Sequence, residues 1–276
     1  GDTKAMIRLA YYYESNKNYE EMEKYYLMAI DKGDTEAMES LAYYYKSIKN
    51  YEEMEKYYLM AIDKGDTKAM IRLADYYESI KNYEEMEKYY LMAINKGDTK
   101  AMLELADYYE SIKNYEEMIK YYLMAIDKGD TYAMCSLADY YKDIKKYEEM
   151  EKYCLMAIDK GDTYAMRYLA YYYKDIKKYE EMEKYYLMAI DKGNHRGNIH
   201  IDAMLELADY YKDIKKYEEM VKYYLMIAYE YKDFGAYEEK KKYYLMIADY
   251  YKSINNYEQM EKYYLKVNDK GYDYKY

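Results

Sequence analysis

The chain of 276 residues contains no proline and no tryptophan, and it has only two cysteines. Cys135 and Cys154 are too few for a disulfide framework. This favours a reducing, cytoplasmic compartment and leaves assembly in a virion or outside the cell open. No apolar run approaches the ~20 residues that cross a bilayer, and no signal peptide is visible. We therefore expect no membrane partner.

Positive charge is also scarce. The chain has 54 acidic residues against 43 lysines and arginines, which leaves a net charge of −11. Phosphate contacts dominate the affinity of proteins for nucleic acid, and an acidic chain opposes them. The 53 tyrosines could stack on bases, but no basic stripe accompanies them. We therefore expect no nucleic-acid partner.

Groups that carry out catalysis or bind metals are sparse as well. His195 and His200 lie five residues apart in GNHRGNIHI, without a carboxylate or cysteine at ligand spacing. We expect an ordinary loop there rather than a zinc site. Cys135 has no histidine nearby in sequence, and the chain lacks a Gly-x-Ser-x-Gly elbow and a glycine-rich phosphate loop. We predict a non-enzymatic protein with no cofactor and no metal.

The chain does have a repeat of 32 residues. The sequence KNYEEMEKYYLMAIDKGDT at 49–67 recurs with small changes in six units that cover 1–192. In the first unit, apolar residues at helical spacing predict one helix from Thr3 to about Glu14 and a second from Tyr19 to about Asp31. The same tyrosine marks the start of each second helix, at Tyr19, Tyr51, Tyr83, Tyr115, Tyr147 and Tyr179.

The residues between the helices carry capping signals. Asn18 precedes a second helix and Glu21 follows three residues later, which predicts a capping box. Gly33 suits a left-handed position after that helix. In later units a lysine takes the N-cap position, and each such cap should be weaker by about 1 kcal/mol. These lysines are Lys146, Lys178 and Lys216.

One helical hairpin is too small to bury its apolar stripe, whereas stacked hairpins bury a continuous core. The array is interrupted at 193–201, and from Tyr217 the tyrosine spacing falls to 20 residues. We predict six repeats over 1–192, a seventh with a six-residue loop insertion over 193–232, and a C-terminal helical cap over 233–276. The last helices should lie near 217–233, 237–253 and 257–269.

The repeat resembles known helical repeats. The pattern M-x-x-L-A-x-x-Y at 6–13 with M-x-x-x-Y at 22–26 resembles the tetratricopeptide repeat, with Met for Trp and Ala for Gly. The aromatic pair, Gly-Asp turn and second Ala within 24–38 look more like the Sel1-like repeat. The usual Pro is missing, and the repeat is two residues shorter than the tetratricopeptide. The resemblance covers about 1–230, and the composition is similar to that of repeat proteins of large amoeba-infecting viruses.

This resemblance implies an all-α fold, a right-handed α-solenoid of stacked helix-turn-helix repeats. In the resembled families the first helix of each repeat lines a concave groove that holds peptide partners. Here the second helices barely change between units. The first helices vary at four surface positions, the fourth, seventh, eighth and eleventh residues of each unit. Such variation fits either neutral drift or the recognition of a partner.

Aromatic residues gather at these positions late in the array, and tyrosine supplies contact area at low entropic cost. Acidic residues at the eleventh position would favour a Lys- or Arg-bearing segment. The predicted partner-binding residues are Tyr132, Tyr164, Arg167, Tyr168, Tyr171, Asp75, Asp107 and Asp139.

Two functions are consistent with these features. The first is a scaffold that binds a peptide or protein on its concave face. The alternative is a structural protein whose near-identical units assemble with each other into a filament, fibre or coat. Both are protein-binding functions, and neither requires an enzyme.

Overall fold

The structure, a computed structural model, describes residues 2–193, 199–233 and 236–268. The described residues form sixteen helices joined by short turns. The first eight are α1 (Thr3–Ser15), α2 (Tyr19–Ile30), α3 (Thr35–Ser47), α4 (Tyr51–Asp63), α5 (Thr67–Ser79), α6 (Tyr83–Asn95), α7 (Thr99–Ser111) and α8 (Tyr115–Asp127). The others are α9 (Thr131–Asp143), α10 (Tyr147–Asp159), α11 (Thr163–Asp175), α12 (Tyr179–Lys192), α13 (Ile199–Asp213), α14 (Tyr217–Asp233), α15 (Tyr237–Ser253) and α16 (Tyr257–Asn268).

The chain divides into two compact units, 1–133 and 134–276. In the N-terminal unit, α1 to α8 pack as four consecutive hairpins. In the C-terminal unit, α11 with α12, α13 with α14 and α15 with α16 pack in the same way. The predicted α-solenoid of helix-turn-helix repeats is therefore confirmed, and the last three helices end within one residue of the predicted positions. The predicted division into six repeats, a seventh repeat and a cap stays a prediction.

Each hairpin buries a mixed stripe of small, aliphatic and aromatic side chains. In the second repeat, Leu41 and Ala42 of α3 and Met54 of α4 are completely buried, and Tyr58 is almost so. The small alanine lets the two helices approach closely, while the methionine and tyrosine fill the space between them. The same set recurs along the array.

In the second, third, fourth, sixth and seventh repeats, a tyrosine near the end of the first helix ties its repeat to the preceding one. Tyr45 donates a hydrogen bond to the Glu23 carboxylate over 2.5 Å, and its ring stacks on Tyr57 with centroids 5.7 Å apart. The ring fills the interface, and the hydroxyl bonds a charged acceptor. The bond recurs in both units, as Tyr77 to Glu55, Tyr109 to Glu87, Tyr173 to Glu151 and Tyr211 to Glu183.

The predicted N-cap is confirmed, but the complete capping box is wrong. The Asn18 side chain accepts a hydrogen bond from the Glu21 backbone N–H. The reciprocal bond is replaced, because the Asn18 N–H donates to the Tyr13 carbonyl over 2.9 Å. The Glu21 carboxylate instead accepts from Lys24, with a shortest N–O distance of 2.9 Å.

The turns use two kinds of left-handed residue. Gly33 has a φ of +82°, as predicted, and follows the second helix. After the first helix the left-handed position belongs to lysine, for example Lys17 with a φ of 58° and Lys49 with a φ of 60°. A side chain with a Cβ rarely adopts this conformation. Sequence reasoning missed these positions, because they lack the glycine that signals them elsewhere.

Restoring an asparagine cap should stabilise the C-terminal unit. Lys146 and Lys178 make no side-chain cap hydrogen bond, as predicted. We expect Lys146→Asn to raise the free energy of unfolding by about 1 kcal/mol, since the amide oxygen can accept an orphan N–H of α10. Urea denaturation followed by circular dichroism measures the change. Lys146→Ala is the control, because it removes the same charge without adding an acceptor. Equal stability of the Asn and Ala variants would contradict the prediction.

Candidate functional site

The variable positions of consecutive first helices lie side by side. We call the surface formed by the fourth, seventh, eighth and eleventh residues of the repeats the first-helix surface. In the N-terminal unit, the Tyr11 and Ser40 hydroxyls of α1 and α3 lie 3.3 Å apart. The Tyr132 hydroxyl donates to the Asp107 carboxylate over 3.4 Å. Two of the predicted site residues are therefore in direct contact.

In the C-terminal unit, the first-helix surface is crossed by ion pairs between α11 and α13. Arg167 pairs with Asp202, and Lys174 pairs with Glu206 over 2.6 Å. The Tyr171 hydroxyl donates to the same Glu206 carboxylate over 3.2 Å. The prediction named Arg167 and Tyr171 but missed Asp202 and Glu206. The sequence could have indicated these two residues, because they occupy the fourth and eighth positions of the seventh repeat.

In the C-terminal unit, the predicted aromatic cluster separates into two exposed tyrosines and one that is half-buried. Tyr164 is 44% exposed and Tyr171 38% exposed, so both can meet a partner. The Tyr168 hydroxyl is buried. Burial raises the pKa of Tyr168, and the Asp139 carboxylate beside it raises it further. Tyr168 and Tyr164 have ring centroids 6.0 Å apart, so the half-buried ring contacts the exposed one.

Cys154 is a small buried residue in the core of its repeat. It is 1% exposed, and it stands where other repeats carry the second tyrosine of the pair. Burial raises the pKa of its thiol to about 12, which keeps the sulfur protonated and unreactive.

Two of the three predicted acidic residues accept hydrogen bonds from buried tyrosines, whereas Asp139 is exposed and the residue 15 positions after it is Cys154. Asp75 accepts a hydrogen bond from Tyr90 over 2.8 Å, and Asp107 accepts one from Tyr122 over 2.5 Å. In each pair the tyrosine lies 15 residues after the aspartate. Burial, followed by the hydrogen bond to Asp75, raises the pKa of Tyr90. The aspartates therefore satisfy buried hydroxyls in addition to giving the surface negative charge.

Comparison with known proteins agrees with this architecture. The tetratricopeptide repeat family matches four segments of the chain, residues 3–31, 67–95, 99–127 and 241–269. The chain is a helical repeat protein that is similar to the tetratricopeptide repeat in these four segments. No curated protein sequence matches it. Repeat proteins of this type generally mediate protein–protein interactions and are typically not enzymes.

Solved structures with Sel1-type folds are similar to this chain. The c5321 protective antigen of uropathogenic Escherichia coli has an SLR fold, shares 18% identity and has a TM-score of 0.54. That match covers 98% of this chain and 62% of the antigen. A Sel1 repeat protein of Oxalobacter formigenes shares 20% identity over 80% of this chain and 98% of its own, with a TM-score of 0.50.

A third similar structure is the C-terminal part of a tetratricopeptide repeat-containing protein of Cytophaga hutchinsonii. It shares 14% identity over 83% of this chain and 95% of its own, with a TM-score of 0.55. Likeness at these identities concerns the fold alone. The Sel1-like resemblance is thereby confirmed for the fold, while the similarity to viral repeat proteins stays a prediction.

The prediction of a loop at the two histidines is partly wrong. His200 lies in helix α13 rather than a loop, is 2% exposed, and has its Nε2 atom 3.3 Å from the Glu230 carboxylate. His195 lies outside the described residues. Within the described ranges, no three His, Cys, Asp or Glu side chains are grouped to hold a metal ion. None of the described helices has the length and apolar character of a membrane span.

Proposed function

We propose that the protein is a scaffold that holds a peptide or protein partner on its first-helix surface, the concave side in the resembled families. The observation that carries the proposal is the difference between the two kinds of helix. The exposed residues of the second helices repeat almost unchanged, for example Leu123, Leu155 and Leu187. A partner that contacted these helices would meet the same chemistry in each repeat. Only the first helices offer a distinct sequence of side chains along the array.

The C-terminal unit offers the best anchor for such a partner. Tyr164 and Tyr171 expose rings on the first-helix surface, and tyrosines of this kind dominate binding energy in many interfaces. Asp202 and Glu206 lie beside them but are already paired with Arg167 and Lys174, so the attraction for a segment that carries lysine or arginine comes from the net charge of −11 of the chain. The partner we propose is therefore a basic segment that lays an apolar or aromatic side chain against the tyrosines.

The proposal can be tested by selecting dodecapeptides from a random library and measuring their affinity by fluorescence anisotropy. Replacing Tyr164 and Tyr171 together by alanine should weaken binding at least about tenfold, since each buried tyrosine contact contributes roughly 1 kcal/mol or more. Leu155→Ala with Leu187→Ala is the matched control on the second helices, and it should leave the affinity unchanged.

Three results would count against the scaffold proposal. Unchanged binding to the tyrosine variant would overturn the assignment of the site. Loss of binding in the leucine variant would move the site to the second helices. Failure to select any peptide that binds would overturn the scaffold function itself. Self-association, the alternative function, would appear as growth in mass with concentration in light scattering.

A further inference from the structure

A recess opens on the first-helix surface of the N-terminal unit. Ser40 is the eighth residue of its repeat, where the first and third repeats have the longer Arg8 and Arg72. Its short side chain leaves a cavity at this position. The recess has a volume of about 320 Å³, which suits a small ligand group. The buried rings of Tyr26 and Tyr58 line its inner wall. We call it the Ser40 recess.

The Ser40 recess contains a buried hydroxyl, that of Tyr26. Tyr26 is 1% exposed, and its buried hydroxyl makes no hydrogen bond of full geometry among the described residues, although Ser40 and Glu14 are close enough to act on it. In the third repeat the equivalent Tyr90 donates to Asp75. The first repeat has Tyr11 in place of that aspartate, and the Tyr11 hydroxyl lies 3.3 Å from Ser40 instead. A buried polar group of this kind is costly, and a ligand that bonds it removes the cost.

Carboxylates surround the Ser40 recess. Burial, followed by the charge of Glu14, raises the pKa of Tyr26. Glu39 lines the recess, and burial together with the neighbouring Asp66 raises its pKa to about 7. An adjoining cavity of about 750 Å³ shares Glu39 and adds Glu36 and Asp66. A positively charged ligand would relieve the repulsion between these groups.

The protein's own cations at this place do not fill the recess. Arg72 lines one side, but its side chain is 59% exposed and its guanidinium lies 4.0 Å from the Asp75 carboxylate. Lys68 lines the adjoining cavity and is exposed. Carboxylates therefore outnumber cationic side chains around the Ser40 recess and the adjoining cavity.

We propose that the Ser40 recess binds the guanidinium group of an arginine side chain, and this rests on the scaffold function proposed above. A guanidinium is planar, carries five N–H donors and stacks on aromatic faces. The carboxylates of Glu14 and Glu39, which line the recess, accept these donors in front of the buried Tyr26 ring. The exposed rings of Tyr11 and Tyr43 lie on the same recess and offer faces for stacking. A lysine ammonium offers the charge without the planar fork.

The probe is the peptide acetyl-Gly-Arg-Gly-amide. Its binding is measured by two-dimensional NMR of the full chain. The pH is 8, above the raised pKa of about 7 of Glu39. The same peptide with citrulline is neutral but has the same shape, and it should bind about tenfold more weakly because the charge attraction is lost. The lysine peptide should bind about threefold more weakly than the arginine peptide, since it cannot form the bidentate contact. Equal binding of the arginine and citrulline peptides would overturn the proposal.

Ser40→Tyr fills the recess and should abolish binding of the arginine peptide. The chain already carries tyrosine at this register as Tyr168, so the repeat can accommodate it. Ser136→Tyr, the same change in the fifth repeat, is the matched control and should leave binding unchanged. Glu39→Gln should weaken binding about tenfold through the loss of one charge.

Absence of arginine binding, or its survival in Ser40→Tyr, would show that the recess is not an arginine site. The scaffold function would be unaffected by that result if library peptides still depended on Tyr164 and Tyr171. Loss of both would overturn the two proposals together.

Discussion

Raising the pH above about 10 should unfold the chain cooperatively. A buried tyrosine with a raised pKa keeps its proton in the folded state, whereas the unfolded chain releases it near pH 10. The contribution of these protonated tyrosines to the free energy of unfolding is fully present below pH 10. It is lost as the pH rises toward the pKa of the tyrosines in the folded state. Burial raises the pKa most at Tyr26, Tyr45, Tyr58, Tyr77, Tyr90, Tyr109, Tyr168, Tyr173, Tyr186, Tyr211, Tyr224 and Tyr243.

The size of this effect follows from the number of protons involved. Each retained proton lowers the free energy of unfolding by about 1.4 kcal/mol per pH unit. Four such protons would remove about 5 kcal/mol per unit, comparable with the whole stability of a small domain, which is about 5–15 kcal/mol. We therefore expect helix loss and a steep rise in tyrosinate absorbance to coincide between roughly pH 10 and 12.

The measurement is parallel circular dichroism at 222 nm and absorbance at 295 nm during an alkaline titration. The chain in concentrated guanidinium chloride is the control, and there the 53 tyrosines should titrate together near pH 10. Helix content that persists at pH 12, or full titration near pH 10 without loss of helix, would contradict the expected burial of the tyrosines.

The second large effect concerns the leucine at the centre of each first helix. Leu73 of α5 is completely buried. Leu73→Ala should lower the free energy of unfolding by about 3 kcal/mol, through lost burial and the cavity that remains. Urea denaturation of the full chain measures this change. In a repeat array the loss can appear as early unfolding of neighbouring hairpins, because each repeat is stabilised by its neighbours.

The chain supplies a matched control for this substitution. Leu9 lies in the same local sequence, TKAMIRLA, which occurs at 3–10 and at 67–74. Leu9 is 41% exposed, so Leu9→Ala should cost about 1 kcal/mol or less. Similar losses at the two positions would mean that Leu73 does not occupy the core position that the structure assigns to it.

Local rules made much of the fold predictable from sequence. Apolar spacing located both helices of the first repeat, and Asn18 and Gly33 marked their ends. The left-handed lysines were missed because Lys17 and Lys49 carry no residue type that favours this conformation. The full capping box failed at Asn18, since its N–H bonds the Tyr13 carbonyl of the preceding helix end.

The sequence predicted which positions of the repeat form the candidate site, but it did not predict which side chains contact each other there. Sequence reasoning placed Asp75 and Asp107 on the surface without their tyrosine partners, because a hydrogen bond between two helices depends on packing. The spacing of 15 residues between Asp75 and Tyr90 recurs between Asp209 and Tyr224 and was a usable signal. In the first repeat the eleventh residue is Tyr11 rather than aspartate, so the buried hydroxyl of Tyr26 has no aspartate to accept its hydrogen bond.

The most direct test of the central claim is a crystal structure of the chain bound to its tightest library peptide. The account predicts that the peptide lies along the first-helix surface, with contacts to Tyr164 and Tyr171 and with any arginine near a carboxylate. A peptide seated on the second helices, against residues such as Leu155 and Leu187, would contradict it.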